Sequence, residues 1–257
     1  MKIAALYDVH GNLPALNAVL EELKAVQPDL IVVGGDIVSG PMPVQTLQRL
    51  LQLGEQVRLI RGNNDREAVT VFDGQPVIRR YLPTPSEQGL NEIRWIAGQL
   101  TRAERDVLAA LPEQLVLQIE GLSEILFCHA TPRSDEELFT FMTPEDRLHD
   151  LFSGVEQEIV ICGHTHIQFA RQIGKLHILN AGSVGMPFAD QAGAYWLLLS
   201  PEGHEFRCTR YDALAAAQEL NTSGDAFARQ FVETNVLKTP GAAEMAEMLE
   251  GMTRKYR

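Results

Sequence analysis

The chain has 257 residues, 45% of them hydrophobic, and a formal net charge of −12. That length and composition bury a sizeable core, in one large domain or a domain with a small appendage. The acidic balance argues against nucleic acid and anionic lipid as partners, and no apolar run reaches the roughly 20 residues that span a bilayer. The first apolar stretch, Ile3 to Leu6, stops at Tyr7-Asp8, too short for a secretory signal, so a cytoplasmic protein is expected. Cys128, Cys162 and Cys208 are odd in number and scattered, and read as buried, inert thiols.

The run "KIAALYD" predicts a first strand. Asn12, with Pro14 in the first turn, then opens an amphipathic helix to about Val26. "DLIVVGGD" repeats the strand-to-turn pattern. After Pro43, residues Val44, Leu47, Leu50 and Leu51 share one helical face, Gly54 stops that helix, and "QVRLI" makes a third strand. This β-α-β-α-β series implies parallel pairing in a sheet covered by helices. From Asn64 to about Ala110 the texture is helical, with Thr101 and Glu104 as a capping box, and the stretch reads as an insertion.

Strands return in "EQLVLQIEG" and "SEILFCHA", joined by a hairpin turn at "EGLS", and Thr143-Pro144-Glu145-Asp146 announces another helix. "EIVICGH", "IQFARQIG", "KLHILNAG" and "AYWLLLS" follow. Turns at Gly174-Lys175 and Pro201-Glu202-Gly203 suit antiparallel hairpins, so the sheets are mixed. After "EFRCTRYD", residues 213–257 are rich in Ala, Glu, Leu and Met. The expected organisation is a main domain over 1–212, with its helical insertion at about 64–110, and a C-terminal helical extension over 213–257 packed on the core.

Several strands end in groups that ligate metals: Asp8 and His10 in "YDVHGN", Asp36 in "GGDIVSG", Asn63 in "RGNND", His129 in "FCHATP", and His164 and His166 in "CGHTH". Taken singly, these read as a capping aspartate, turn formers and satisfied histidines. Together they occupy the carboxyl ends of successive strands, where residues distant in sequence converge in a parallel sheet. Two divalent ions about 3.5 to 4 Å apart need a bridging carboxylate, neutral imidazoles and further oxygen ligands, and such a pair suits hydrolysis of a phosphate ester. Asp36 is the candidate bridge.

The ordered series "DVHGN", "GGDIV", "GNND", "CHATP" and "GHTH" resembles the calcineurin-like metallophosphoesterase superfamily, whose motifs run D-x-H, G-D, G-N-H-[DE], H and G-H-x-H. The small size and "NAGSVGMP" are similar to its compact bacterial and archaeal phosphodiesterase-type branch. The resemblance covers residues 1 to about 200. It implies an α/β fold, a four-layer α-β-β-α sandwich of two mixed sheets. It also implies hydrolysis of phosphodiesters or phosphomonoesters of small cytosolic compounds by a hydroxide bridging two divalent ions. Carried over by position, Asp8, His10, Asp36 and His166 would hold one ion, and Asp36, Asn63, His129 and His164 the other. Manganese is the first candidate, and iron, zinc, nickel or magnesium would also suit the donors. Asn12 falls near the substrate or caps its helix, and Arg66 and Arg133 are candidate phosphate clamps.

One position departs from the pattern. The family has histidine, usually credited with general-acid or electrostatic support, where this chain has Asn64. An amide donates a hydrogen bond but delivers no proton at neutral pH. Losing acid catalysis costs about 10²- to 10⁴-fold, least for leaving groups that need no proton. The expectation at Asn64 is therefore either a bias toward good leaving groups such as a nucleotide phosphate or a phenolate, or a proton supplied by another group. Asp65, usually the partner of the missing imidazole, is left to order the loop. A dinucleoside polyphosphate hydrolase, a protein serine/threonine phosphatase and a non-catalytic scaffold retaining the fold are the alternatives.

Overall fold

A computed structural model describes residues 1–119 and 123–253. The hairpin turn expected at "EGLS" falls largely outside the described residues, as does the end of the C-terminal extension, 254–257. In chain order, β1 (Ile3–Leu6), α1 (Leu13–Val26), β2 (Leu30–Val33), α2 (Pro43–Leu51) and β3 (Val57–Leu59) form the expected alternating series. Three helices follow: α3 (Asn63–Phe72), α4 (Glu87–Gln99) and α5 (Arg102–Ala110). Thr101 and Glu104 cap α5 reciprocally. Then come β4 (Gln114–Gln118), β5 (Glu124–Cys128), α6 (Glu145–Leu151), β6 (Ile159–Cys162), β7 (Gln168–Ile173), β8 (Leu176–Ala181), β9 (Ala194–Ser200) and β10 (Gly203–Thr209). The chain continues in α7 (Ala213–Leu220), α8 (Ala226–Phe231), a single π-helical turn (Val232–Val236) and α9 (Ala242–Thr253).

The strands make two five-stranded mixed sheets, ordered β10-β9-β1-β2-β3 and β4-β5-β6-β8-β7. β1, β2 and β3 are parallel, as are β5, β6 and β8; β9, β10, β4 and β7 run antiparallel to their neighbours. Side-chain alternation along a strand sets the layers. Ile3, Ala5 and Tyr7 join Phe127, Ile161 and Leu179 between the sheets, whereas Ala4 and Leu6 pack with Leu16 and Val19 of α1. On the outer face of the second sheet, Leu126, Val160 and Ile178 pack with Leu148 of α6 and Leu249 of α9. The result is the α-β-β-α sandwich. Tyr7 ties the sheets together, its hydroxyl donating to the Ile161 carbonyl at 2.9 Å. Among the described residues no helix is long and apolar enough to cross a membrane.

Two local expectations change. "RGNND" is more than a turn: Gly62 is the N-cap of α3, and Asn63, Asn64 and Asp65 form its first turn. The helix starts there because the Asp65 carboxylate accepts the Gly62 N–H at 3.0 Å, reaching back as a capping group does. Cys128 and Cys162 are buried as expected, but Cys208 is exposed, because β10 is an edge strand with a solvent-facing side.

Candidate metal centre

The loops that leave β1, β2, β5 and β6, together with the first turn of α3, meet at one end of the sandwich. They assemble two groups, Asp8 with His10 and His166, and Asp36 with His129 and His164, and within each group the ligand atoms lie within 4.8 Å of one another. The groups adjoin: His10 Nε2 is 3.7 Å from Asp36 Oδ2, and His129 Nε2 is 3.9 Å from Asp8 Oδ1. Asn63 Oδ1 stands 3.1 Å from His129 Nε2. All seven groups picked out at the strand ends are thus brought together.

The backbone is bent to do this. Asp8, His10, Asp36, His164 and His166 have φ of 53°, 48°, 53°, 65° and 59°, in the left-handed region that non-glycine residues rarely enter. Each costs of order 1–3 kcal/mol and persists only where its surroundings over-determine it. Gly62 and Gly163 explain why glycine precedes the ligands: a Cβ at Gly62 would strike the Asp36 carboxylate and the Asp36 backbone, and one at Gly163 would strike the Asp8 carboxylate and the Tyr7 ring. Asn180 and Ser183, inside "NAGSVGMP", hold the loops from behind. Asn180 Nδ2 donates to the Gly163 carbonyl at 2.7 Å, and Ser183 Oγ donates to the Asp8 carbonyl at 2.7 Å. Sequence reasoning missed both, although the motif itself was the signal.

Carbonyls set the imidazole tautomers, since a carbonyl only accepts. His10 Nδ1–H donates to Ser39 O at 3.1 Å and His129 Nδ1–H to Gly34 O at 2.8 Å, which turns Nε2 of each ring to the cluster. His164 is reversed: Nε2–H donates to Glu136 O at 3.2 Å, leaving Nδ1 for the cluster. Burial pushes His10 and His164 down to about 4, so both are neutral at pH 7. Burial would also lower His129, but the Asp36 and Asp8 carboxylates outweigh it and lift the ring to about 10. Asp36 shows the reciprocal effect: burial raises it, and the His129, His10 and His164 imidazoles carry it well below the usual carboxylate range.

The other predicted site residues are placed differently. Asn12 is fully buried, capping α1 by accepting from Ala15 N at 3.2 Å while its Nδ2 donates to the Gly185 carbonyl at 3.0 Å. Asn64 borders the cavity above the cluster, but its amide donates to Asp36 Oδ2 at 2.5 Å and its backbone N–H to Asp36 Oδ1 at 2.8 Å. It positions that carboxylate. Asp65 has no exposed surface; its Oδ1 accepts the Ile37 and Val38 N–H groups at 2.9 and 3.1 Å, clamping the loop after β2 to the start of α3. Arg66 is paired with Asp135 and Glu136, and Arg133 with Glu137 and Asp150; neither borders the cavity above the cluster. The guanidinium that does is Arg79, held in a two-pronged pair by the buried Glu67 at 2.7 Å on each arm. No local pattern marks it.

The cluster has the character of a cation site. Among the described residues Asp8 Oδ1 and His166 Nδ1 are buried without a hydrogen-bond partner, and His10 Nε2 and His166 Nε2 face each other at 3.0 Å. A mixed set of carboxylate, amide and imidazole donors suits a divalent ion such as Mn²⁺, Fe²⁺ or Zn²⁺. The residues present fit such ions.

Comparison with known proteins agrees with this geometry. The structure of hypothetical protein PH1004 from Pyrococcus horikoshii superposes with a TM-score of 0.76 at 18% identity, covering 93% of this chain and 99% of that one, which establishes the shared fold. Phosphodiesterase YfcE of Escherichia coli is 24% identical over 207 residues, 77% of this chain and 87% of its own. The symmetrical bis(5'-nucleosyl)-tetraphosphatase of Pectobacterium atrosepticum is 32% identical over 133 residues, 50% of this chain and 43% of its own. The sequence pattern of the calcineurin-like phosphoesterase superfamily domain matches residues 1–202. With its strand-end donors in that order and that fold around them, the chain belongs to the calcineurin-like phosphoesterase superfamily, as a metal-dependent phosphoric ester hydrolase.

Proposed function

We propose that the chain is a dinuclear phosphodiesterase acting on small phosphate esters. Asp8, His10, Asp36 and His166 would hold one ion, and Asp36, Asn63, His129 and His164 the other. The observation that carries this reading is the convergence of two donor groups around Asp36 on strained backbone at the floor of one cavity. Divalent ions held by these residues would supply Lewis acidity toward phosphoryl oxygens and an activated water. The protein's own part is positional: carbonyls orient three imidazoles, Asn64 holds Asp36 through both its N–H donors, and Asp65 fixes the loop that carries it. No residue of the α3 turn offers a proton to a leaving alcohol, which supports a preference for leaving groups that depart as anions.

The cavity is walled by α8, α9 and the π-helical turn, so the site is a recess and favours a small ester over a phosphorylated protein loop. The complete donor set weighs against a scaffold role. The YfcE resemblance supports diester hydrolysis, and the tetraphosphatase resemblance keeps a dinucleoside polyphosphate as the second substrate to try. The test is metal analysis of the purified chain together with turnover of phosphate mono- and diesters in Mn²⁺, Fe²⁺, Zn²⁺, Ni²⁺ and Mg²⁺. Two ions per chain with diester turnover are expected; metal binding with no turnover of any ester overturns the reading.

A further inference from the structure

The cavity of about 390 Å³ has two unlike halves. Its floor is His10, Asp36, Asn63, Asn64, His164 and His166. Its far wall comes from Phe188 and from the C-terminal helices, including Phe227, Phe231, Met245, Met248 and Met252. Apart from Phe188 these wall residues lie beyond the stretch 1–202 that matches the superfamily pattern, so the wall is built outside the part of the chain that carries the metal ligands.

We propose that the wall receives an aromatic ring carried by the substrate's second ester substituent; the inference rests on the phosphodiesterase reading and names the substrate class within it. The geometry is that of a ring slot. The Phe188 ring lies 5.1 Å from the His166 ring, tilted by 37°, so it flanks the cluster directly. Phe227 is held edge-on by Trp95 at 5.5 Å. Along α9, Met245, Met248 and Met252 follow at helical spacing and bring three thioethers to one face. Thioethers contact aromatic rings favourably and adapt to their shape. Met248 borders the cavity and is 50% exposed, so its thioether is open to an occupant.

Charge narrows the occupant further. Among the described residues the charged side chains bordering the cavity besides Asp36 are Arg79, already held by Glu67 on both arms, and Glu92. Among the described residues the wall thus provides no unpaired cation for a second phosphate, and an uncharged ring fits it. Thr234 and Asn235, on the π-helical turn, give the slot a polar rim suited to the edge of a heterocycle.

The test uses the full chain loaded with Mn²⁺ and a series of p-nitrophenyl phosphodiesters that share one leaving group and differ in the other substituent: methyl, octyl, phenyl and thymidine-5'. Phenyl and thymidine are expected to exceed methyl in kcat/KM by about 10- to 100-fold, the value of burying one aromatic group. Phe231→Ala and Met248→Ser should shrink that ratio several-fold. Met248 is half-exposed, so its variant separates selectivity from folding. A parallel calorimetric titration compares phenylphosphonate with methylphosphonate, so that binding is read without turnover. Equal rates for methyl and phenyl, unchanged by the wall variants, overturn the inference and leave the phosphodiesterase reading standing. Octyl above phenyl overturns the aromatic assignment. No cleavage of any ester, with phenylphosphonate still binding more tightly, supports the slot and removes the phosphodiesterase reading; loss of both overturns both. Thymidine above phenyl assigns the ring to a nucleobase, and phenyl above thymidine to a plain aryl group, and either supports the slot.

Discussion

The floor and the wall of the cavity are built on opposite physical terms. The floor is polar, buried and over-determined: five residues sit at positive φ, three imidazoles are locked by backbone carbonyls, and Gly62 and Gly163 leave room for the Asp36 and Asp8 carboxylates. The wall is apolar and adaptable, made of phenylalanine and methionine on short helices joined by a π-helical turn, an irregularity that often accompanies function. Chemistry that depends on sub-ångström placement of charge needs the first kind of construction. Selection among substituents tolerates the second, because burial of apolar surface is non-directional.

If the floor acts as one unit, the largest effect follows from its shared member. Asp36→Asn should lower turnover by at least about 10³-fold, the scale of the several kcal/mol a metal ion gives a phosphoryl transition state. Bound metal per chain, read by elemental analysis, should fall with it; near-normal turnover would break the assignment. Asn64→His comes next. Restoring an acid at this position should raise turnover of esters with alcohol leaving groups by up to about 10²-fold, the low end of general-acid effects, and leave phenolate esters nearly unchanged. A plot of rate against leaving-group pKa reads this, and an equal gain for both classes would contradict it.

Smaller effects probe the strain. Gly163→Ala places a methyl group against the Asp8 carboxylate and the Tyr7 ring, and should cost about 1–3 kcal/mol in denaturant unfolding. An equally small residue added on the wall side, such as Met248→Ala, should cost well under that. A separate effect is electrostatic and is read from pH alone. In the metal-free protein His129 is held at about 10 against an ordinary 6.5, so its stabilising contribution is complete below pH 6.5 and is lost between 6.5 and 10. His10 and His164, held at about 4, act in the other direction: the unfolded chain takes up protons first, so stability falls as pH drops from about 6.5 to 4. Unfolding of the metal-free protein should therefore be hardest near pH 6.5. Metal loading at pH 7 must also displace the His129 proton, and calorimetry in buffers of different ionisation enthalpy should count about one proton released.

Much of the floor was legible because its signals are local. A parallel strand run delivers its next residue to the carboxyl edge of the sheet, so Asp8, Asp36, His129 and His164 could be assigned to one place before any contact was known. Turn chemistry marked the hairpins at Gly174-Lys175 and Pro201-Glu202-Gly203, whereas the sandwich was implied by the resemblance that the ordered motifs carry. Guanidinium roles were not legible in this way. Arg66 and Arg133 stand close in sequence to the ligands, yet carboxylates at 135, 136, 137 and 150 take them, and Arg79 borders the cavity while paired with Glu67. Asn12 resolved as a cap for the same reason, since its neighbours in space left it no route to the cavity.

The sequence by itself determined which side chains stand at the strand ends and, through them, the class of chemistry, because strand periodicity and glycine-bearing turns are properties of adjacent residues. Tertiary structure alone decided which nitrogen each imidazole turns inward, which arginine borders the cavity, and that the apolar face of the C-terminal helices lines a recess as well as the core. An amphipathic helix has the same pattern whether its face meets a sheet or a substrate, so only packing separates the two.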